Sequence, residues 1–272
     1  MIGGKGMNQA LAMEANDTAV TYVGKIGRDQ FYQYAKKYLN SNKLIKDIIF
    51  ESAESQTGLA IVLLREDGEK EIIVNNGANK KVSLEEIYSI EEEIKQAEYI
   101  SLQMENNLDA ILVVINIAQK YQRKIVLDPT PFVPEILDVF PALYLLTPNK
   151  TEAEQITGII ICDEQSAKVA IEIIHGMGVK NVILTLGEQG VMASMQGNMK
   201  KINAYKAVIN DKSGVGDAFN GALLARLSVN DDLFTAADYA CAYAALCIER
   251  FGASNMPKGH LVKLKFQQAK GM

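Results

Sequence analysis

The feature that most constrains the fold is the alternation of short apolar, β-rich runs with helical patterns along a chain of 272 residues. The apolar runs are Ala19–Val23, Leu59–Leu64, Tyr99–Leu102, Lys124–Leu127, Leu143–Leu146 and Val182–Leu186, and the helical patterns include Asp29–Leu39, Leu84–Gln96, Leu108–Gln119 and Ser166–His175. This alternation predicts an α/β fold with a doubly wound, mainly parallel sheet and helices on both faces. In such sheets, ligands bind beyond the carboxyl ends of the strands, where loops run into helix N-termini.

Two segments depart from this alternation and predict β-hairpins. Within residues 57–76, Asp67-Gly68 separates two apolar runs, and we expect this hairpin to project from the sheet as part of a small lid. The second hairpin is predicted around Gln196-Gly197-Asn198, between Val191–Ser194 and Lys201–Ala204. Because no long linker, repeat or low-complexity tract divides the chain, residues 1–272 are expected to form a single domain.

Composition and charge argue against several other classes of protein. The chain carries a net charge of -5 and 48% apolar residues, but it lacks an apolar run of about 18 residues and a basic segment followed by an apolar one at its start. We therefore expect no membrane span, no signal peptide and a cytoplasmic location. No basic cluster suggests nucleic-acid binding. The three cysteines, Cys162, Cys241 and Cys247, lack metal-ligand spacing and are expected to be reduced.

The most informative segment is a loop that precedes an apolar helix pattern at Ala222–Leu227 and follows a predicted strand at Ala204–Ile209. It reads Asp211-Lys212-Ser213-Gly214-Val215-Gly216-Asp217-Ala218-Phe219-Asn220-Gly221. Glycines at 214 and 216 allow a tight turn and a close approach of N–H groups to a ligand, and the helix adds the positive end of its dipole. Such a nest suits a phosphoryl group whose charge must be stabilised during transfer. The spacing alone fits equally well an aspartate that caps a helix after a glycine turn.

This loop resembles the Asp-Thr-x-Gly-x-Gly-Asp signature of the ribokinase-like (pfkB) family of carbohydrate kinases, with Lys212 where Thr is usual. The resemblance implies an ATP-dependent kinase in which Asp217 is the base and the main chain of Gly214, Val215 and Gly216 forms an anion hole. A carboxylate suits that role because phosphoryl transfer requires a group that orients and deprotonates the attacking hydroxyl.

The start of the chain, Ile2 to Ala10, resembles the Gly-Gly-Lys-Gly-x-Asn-Gln-Ala motif of the same family. The resemblance implies that Gly3, Gly4, Lys5 and Asn8 contact the sugar. Glu105, just beyond Tyr99–Leu102, matches a Gln-x-Glu that binds sugar in the family. A glutamate after a strand is more usually a solvated surface residue. Together these matches imply a small sugar as substrate, with D-ribose the first choice and its primary hydroxyl as the acceptor.

Three further matches lie on the nucleotide side of the expected site. Asn149 and Glu152 resemble the Asn-x-x-Glu motif that helps to organise Mg²⁺ and phosphates, and the same two residues would form a capping box at a helix start. Residues 185–190 resemble the nucleotide-binding Thr-Leu-Gly-x-x-Gly, although a plain turn explains the glycines equally well. Cys241 matches a position near adenine, where core packing is the alternative. The resemblance implies ATP contacts for Asn149, Thr185, Leu186, Gly187, Glu188, Gln189, Gly190, Gly216 and Cys241.

The family also has a monovalent-cation site built mainly from main-chain oxygens. The matching positions are Asp211, Ser213, Cys247, Arg250, Gly252 and Met256. Met256 stands where ribokinases often have Ser, so one hydroxyl ligand is absent. The resemblance implies K⁺ as an activator and Mg²⁺ with ATP as the nucleotide substrate.

The chain departs from the family at its beginning, because ribokinases have a further segment before Gly-Gly-Lys that includes a first strand with an Asn-x-Asp sugar motif. We therefore expect a sheet with an exposed edge, an incomplete lid, weaker sugar binding and a weakened form of the family's homodimer through the lid. A natural short form, a wrongly assigned start and a truncated chain would look the same in the sequence.

Three alternatives to a ribose kinase remain open at this stage. The first is a kinase of the same family for another sugar or a nucleoside. The second is a non-catalytic protein that binds sugar or nucleotide and keeps the fold. The third, an NAD-dependent dehydrogenase, would need an early Gly-x-Gly-x-x-Gly followed by an acidic ribose ligand, and the chain lacks this pattern.

Overall fold

A computed structural model describes residues 2–41, 45–64 and 70–269. Short 3₁₀ turns lie at Gly77–Lys81, Pro134–Ala142, Gly187–Gln189 and Gly259–Leu261. In chain order the helices and strands are α1 (Lys5–Ala15), β1 (Val20–Gly27), α2 (Tyr32–Leu39), β2 (Ile45–Ser52), β3 (Leu59–Leu64), β4 (Lys70–Asn75), α3 (Leu84–Ser89), α4 (Glu91–Gln96), β5 (Tyr99–Gln103), α5 (Leu108–Lys120), β6 (Lys124–Asp128), β7 (Leu145–Leu146), α6 (Lys150–Thr157), α7 (Glu164–Gly176), β8 (Asn181–Thr185), β9 (Val191–Met195), β10 (Asn198–Ile202), α8 (Val215–Leu227), α9 (Leu233–Cys247) and α10 (Val262–Ala269).

The central sheet has six strands in the order β10-β9-β8-β7-β6-β5. Strands β5 to β8 are parallel, and β9 and β10 are antiparallel to their neighbours. The prediction of a mainly parallel sheet flanked by helices is therefore confirmed. Because parallel strands point the same way, the ends of β5, β6 and β8 lie along one edge of the sheet.

The alternation of side chains along the strands separates two cores, one on each face of the sheet. On one face, Ile125 and Leu127 of β6 pack with α5 and α7 in the larger core. On the other face, Val126 packs with α8 and α9, and Ala12 brings α1 into the same core. The site-bearing helices α1 and α8 thus share one face of the sheet.

Two small sheets lie outside the central one. Strands β1 and β2 form a parallel pair, and β3 and β4 form an antiparallel pair. The predicted hairpin within residues 57–76 is confirmed by the β3–β4 register, whereas its predicted turn at Asp67-Gly68 lies outside the described residues. A lid role for this hairpin remains a prediction.

Strand β5 forms one edge of the central sheet, since among the described strands it pairs only with β6. Its side chains are all half-buried, and they line a cavity of about 850 Å³ together with residues of β1. Gly3, Gly4 and Glu105 also line this cavity. Among the described strands, β5 is therefore an edge strand, with half-buried rather than exposed side chains.

Several sequence predictions of secondary structure are wrong in detail. Residues 204–209 form no strand, because the sheet ends at β10 and the main-chain N–H of Val208 binds the Glu249 side chain instead of a neighbouring strand. Strand β2 was not anticipated. The predicted helix Leu84–Gln96 divides at Ile90 into α3 and α4, and the predicted strand Leu143–Leu146 shortens to β7.

The second hairpin forms as predicted, with a tighter turn. Gln196 and Gly197 both have positive φ, at 51° and 85°, and Asn198 already belongs to β10. Among the helices in the described part of the chain, none combines the length and apolar character that crossing a bilayer requires.

Candidate active site

Asp217 lies in the first turn of α8 and is almost fully buried, with 6% of its surface exposed. Burial raises the pKa of its carboxyl to about 6, and Lys5 and Asn8 offset part of that rise. Its Oδ2 accepts a hydrogen bond from the Asn8 amide at 2.8 Å. Its Oδ1 is buried and accepts no hydrogen bond from the described residues. A buried carboxylate with one oxygen fixed and the other without a partner is suited to receive a hydroxyl proton.

The two glycines of the loop have different roles. Gly214 caps α8 with φ of 72°, and a Cβ there would lie 2.6 Å from the Ala253 carbonyl oxygen, so the turn itself requires glycine. Gly216 is helical, and a Cβ there would have no atom within 4 Å. The turn therefore requires glycine at 214 only, and the open space at Gly216 is compatible with the predicted close approach of a ligand to the main chain.

The N-cap of α8 is Gly214, which has no side chain to bind the N–H groups of the first turn. Free N–H groups at the positive end of a helix dipole form an anion-binding surface. Val215 and Gly216 lie in this first turn, and a Cβ at Gly216 would have no atom within 4 Å. Their role as an anion hole remains a prediction.

Helix α1 brings the glycine motif to Asp217. Gly4 caps α1 with φ of 98°, and neither Gly3 nor Gly4 would place a Cβ within 4 Å of another atom. The Lys5 main-chain N–H donates to Glu105 Oε2 at 3.2 Å, which joins the start of α1 to the end of β5. Three of the predicted sugar contacts, Lys5, Asn8 and Glu105, therefore lie close to one another.

Lys5 is the electrostatic centre of the site. Burial lowers the pKa of its ammonium group, but the carboxylates of Asp128, Asp217, Glu105 and Glu152 raise it, and the net pKa is above its ordinary value. The lysine therefore stays charged and gives the site a cation that can neutralise anionic groups near it.

A buried polar network at the end of β6 was missed by the sequence reasoning. Asp128 Oδ2 accepts from Gln9 Nε2 at 3.1 Å and from Asn220 Nδ2 at 3.3 Å, and Thr130 Oγ1 lies 2.6 Å from Asp128 Oδ1. Asp128 is the last residue of a parallel strand, so the rule that ligands bind beyond strand ends could have identified it. Its partners on α1 and α8 could not be inferred from spacing, because they come from distant parts of the chain.

The capping-box interpretation of Asn149 and Glu152 is confirmed, and their role in organising Mg²⁺ remains a prediction. They form the capping box of α6, in which Glu152 Oε2 accepts from the Asn149 N–H at 2.9 Å. Glu152 is also buried, which raises the pKa of its carboxyl, and its Oε1 lies 2.5 Å from Thr130 Oγ1. The pair thus adjoins Asp128 and contributes to the charge around Lys5. Oxygen ligands of this kind suit Mg²⁺, which keeps several waters.

The segment Thr185–Gly190 lies beside this pair. Thr185 forms a bridge to Asn149, and the Glu188 carboxylate lies 3.6 Å from the Lys212 ammonium on the phosphate loop. Gly190 must be glycine for the turn, since a Cβ would lie 2.1 Å from the Ile202 carbonyl oxygen, whereas Gly187 would meet nothing within 4 Å. Cys241 is buried in the core of α8 and α9, and burial raises the pKa of its thiol to about 12. That position favours packing, and its contact with ATP remains a prediction.

The residues matched to a monovalent-cation site come from two segments that meet. The Asp211 carboxylate accepts from the Ser213 N–H at 2.8 Å and from the Gly252 N–H at 2.9 Å. Gly252 has φ of 94°, and the Asp211 N–H donates to the Ile248 carbonyl. Cys247 and Met256 pack in the core of α8 and α9, and the Arg250 N–H donates to the Cys247 carbonyl. The two segments therefore meet in the fold, and their joint binding of a monovalent cation remains a prediction.

Comparison with known proteins identifies the family of this chain. The sequence pattern of the "pfkB family carbohydrate kinase" matches residues 1–259. The chain belongs to this family. The segments that resemble the family's motifs lie on α1, at the end of β5, on α6, in the turn after β8 and at the start of α8.

Individual relatives of this pfkB-family kinase are sugar kinases. A ribokinase of Staphylococcus aureus (strain COL) is 31% identical over 252 residues, which cover 92% of this chain and 83% of the relative. A deoxyribokinase of Salmonella typhi is 28% identical, with 93% and 83% covered. The structure of Arabidopsis thaliana ribokinase complexed with ribose and ATP has a TM-score of 0.83 and 27% identity, and the match covers 97% of this chain and 87% of that one.

Proposed function

We propose that this kinase transfers the γ-phosphoryl group of ATP to the primary hydroxyl of D-ribose and gives D-ribose 5-phosphate. In this reaction a bond forms between the sugar oxygen and the γ-phosphorus, the bond from phosphorus to the β–γ bridging oxygen breaks, and ADP leaves. The hydroxyl proton passes to Asp217.

The observation that carries this proposal is the state of Asp217. Its buried Oδ1 has no partner among the described residues and adjoins the uncapped N-terminus of α8. A hydroxyl bound at Oδ1 would be oriented by the base, while Val215 and Gly216 N–H groups stabilise the charge that develops on the phosphoryl oxygens. An aspartate that served only as the helix cap would stand at the N-cap position, whereas the N-cap of α8 is Gly214 and Asp217 lies inside the first turn.

The sugar side supports a small polyhydroxylated substrate. Asn8 Oδ1 is a buried acceptor without a partner among the described residues, and Lys5 and Glu105 lie beside it as donor and acceptor. A hydroxyl group that satisfied Asn8 Oδ1 would be favoured, since a buried unpaired polar group costs about 1–3 kcal/mol. The relative named a deoxyribokinase makes 2-deoxyribose the second candidate substrate.

Mg²⁺ with ATP and K⁺ are part of the proposal. Mg²⁺ neutralises phosphate charge when it accompanies ATP, and Asn149 and Glu152 are the residues that would organise it. Main-chain oxygens of Asp211, Ser213, Cys247, Arg250, Gly252 and Met256 would hold K⁺ beside the phosphate loop. We assign the reaction to the cytoplasm, where ATP is available.

The β3–β4 hairpin is the proposed lid and dimer surface. Ile61 and Ile73 are register partners and are 49% and 52% exposed, and Leu59 and Ala60 at the start of β3 line the cavity next to Gly3 and Gly4. Two-stranded sheets with exposed apolar faces are marginally stable alone, so a second copy of the chain that covered them would stabilise the hairpin.

The test is ADP production from Mg-ATP and D-ribose, with and without K⁺, in the parent chain and the Asp217→Asn variant. Asp109→Asn is a matched control, because Asp109 is an exposed aspartate in the first turn of α5. Sugar-dependent turnover that Asp217→Asn abolishes and Asp109→Asn preserves would support the proposal. The parent should prefer ribose over 2-deoxyribose, fructose and adenosine. ATP binding without any sugar-dependent ADP would instead indicate a non-catalytic binding protein.

A further inference from the structure

Gln9 is a buried glutamine next to the catalytic elements, with 2% of its surface exposed. Its Oε1 accepts from Gln103 Nε2 at 2.8 Å and from Ser101 Oγ at 3.0 Å, both on β5. Its Nε2 donates to Asp128 Oδ2 at 3.1 Å. Because donors from β5 occupy the amide oxygen, the amide nitrogen must point toward the carboxylates.

The main chain of Gln9 packs closely against α8. A Cβ at Gly221 would lie 2.5 Å from the Gln9 carbonyl oxygen, so α1 and α8 touch at this point only because residue 221 is glycine. Gly221 follows Asp217 by four residues, which is one turn of α8 on the same face. Asn8, the neighbour of Gln9 on α1, donates to Asp217. The contact therefore sets the position of α1 relative to Asp217.

Asp217 and Asp128 are neighbouring acids, and their negative charges repel each other. Asp128 raises the pKa of Asp217, whereas the amide of Gln9 lowers it. The other groups that face Asp217 are Lys5 from α1 and Cys247 from α9. Gln9 is thus a neutral residue whose Nε2 donates to Asp128 beside Asp217, in a pair of acids whose charges repel each other.

We propose that Gln9 is a positioning residue for the phosphoryl transfer step. Its side-chain amide is anchored on β5 and points at the Asp128–Asp217 pair, and in this way it keeps Asp217 ionised and oriented toward the sugar hydroxyl. This inference rests on the proposed function, in which Asp217 accepts the hydroxyl proton. The role differs from that of Asn8, whose orphan Oδ1 can also bind the sugar. All polar groups of Gln9 are turned toward the protein.

The consequence is a specific kinetic pattern. Gln9→Met keeps the length of the side chain and removes its donors and acceptor. The substitution removes the amide that donates to Asp128, so the charge of Asp128 is less compensated and a smaller share of Asp217 is ionised at pH 7. The orientation of the Asp217 carboxylate is also less restricted. We expect kcat to fall about 10- to 100-fold, mainly because the orientation of Asp217 is lost, since the change in its ionised share at pH 7 accounts for less than about twofold. KM for ribose should change less than about twofold, because no group that binds the sugar is removed.

The experiment measures kcat and KM for ribose in the parent, Gln9→Met, Gln103→Met and the double variant. Gln119→Met, at an exposed glutamine of α5, is the control and should match the parent. Gln103→Met removes the anchor from β5 and should lower kcat in the same way but less. The double variant should be no slower than Gln9→Met, since both changes act through one amide. Additive losses, or a rise in KM with kcat unchanged, would overturn the proposal and indicate a packing role.

A second measurement does not depend on turnover. The Asp217 carboxyl can be followed by ¹³C NMR in protein labelled at aspartate carboxyls, with Asp217→Asn identifying its signal. The titration midpoint should rise in Gln9→Met by about half a pH unit or more and remain at the parent value in Gln119→Met. If the parent lacks ribose-dependent ADP production, the proposed function fails, yet this titration still decides the role of Gln9. An unchanged midpoint would overturn it. If Gln9→Met does not fold, Gln103→Met carries both measurements.

Discussion

The side-chain amide of Asn8 donates to Asp217 Oδ2 at 2.8 Å across 209 residues of sequence. This bond joins the first helix of the chain to the first turn of α8 and fixes one carboxylate oxygen. The other oxygen, Oδ1, is buried and accepts no bond from the described residues. The sugar motif and the proposed base are therefore one structural unit.

Asn8→Leu should lower kcat and raise KM for ribose together, each by about tenfold. The change removes the donor that orients Asp217 and also Asn8 Oδ1, the buried acceptor available to a sugar hydroxyl. KM for ATP should stay within about twofold, because Asn8 lies on the sugar side. Asn116→Leu, at an exposed position of α5, is the control. Unchanged ribose kinetics in Asn8→Leu would contradict the assigned contact.

The rate should depend on pH through Asp217. Since burial raises the pKa of this carboxyl to about 6, it is mostly ionised at pH 7 and mostly protonated at pH 5. A protonated base cannot accept the hydroxyl proton, so kcat/KM for ribose should fall about tenfold per unit below pH 6. Initial rates between pH 5 and pH 8, with circular dichroism to confirm folding, test this. A flat profile down to pH 5 would exclude Asp217 as the titrating base.

Asp217→Asn should stabilise the fold at neutral pH while it abolishes turnover. The pKa is about 6 in the folded protein against an ordinary value of 3.8, so the ionised carboxylate opposes folding. The penalty is absent below pH 4, grows as pH rises toward 6 and is complete above it. The difference corresponds to roughly 3 kcal/mol at pH 7.

Urea denaturation of Asp217→Asn and parent at pH 7 and pH 4 measures this effect. The variant should gain stability at pH 7 and show little difference at pH 4. An equal gain in stability at both pH values would assign the effect to packing. No gain at pH 7 would show that the ionised Asp217 carboxylate does not destabilise the fold.

The sequence could predict the order of elements and the positions of the principal motifs because those signals are local. Glycines beside Asp217 and the pattern at Gly3–Asn8 lie within short stretches, and the resemblance supplied their roles. Five of the six predicted apolar runs became strands with nearly the predicted bounds. The sixth, Leu143–Leu146, kept only its last two residues as β7.

Other features could not be predicted, since they depend on which distant segments meet. Gln9 and Asp128 are separated by 119 positions and are joined only by the packing of α1 over the end of β6. The segment at 204–209 has the apolar character of a strand, but it pairs with none of the described strands. The sequence around Gly216 resembles that of a glycine in a turn. Only the structure shows that Gly216 is helical and that a Cβ there would have no atom within 4 Å.

Gly214→Ala and Gly216→Ala should therefore have opposite effects on stability and binding. At Gly214, positive φ and the nearby Ala253 carbonyl oblige the loop to shift, so the free energy of unfolding should fall by about 1–3 kcal/mol. At Gly216 the fold should be unaffected or slightly more stable, whereas the new methyl group should raise KM for ATP about tenfold or more. Thermal denaturation and ATP kinetics on both variants distinguish these outcomes. Equal destabilisation by the two substitutions would contradict the different roles assigned to the glycines.

The β3–β4 hairpin provides the last test, on association of the chain. Ile61 and Ile73 face each other across the hairpin, and Val62 and Val74 expose 52% each. Apolar residues at these positions leave exposed surface on the hairpin that a second copy would cover. If the parent forms the proposed dimer, Ile61→Lys should shift it to monomer in sedimentation equilibrium at micromolar concentration, because a buried lysine without a partner is costly. Ile160→Lys, at a residue 79% exposed outside the hairpin, should leave the dimer intact. A parent that sediments as a monomer, or an Ile61→Lys variant as dimeric as the parent, would show that the hairpin is not the contact between copies.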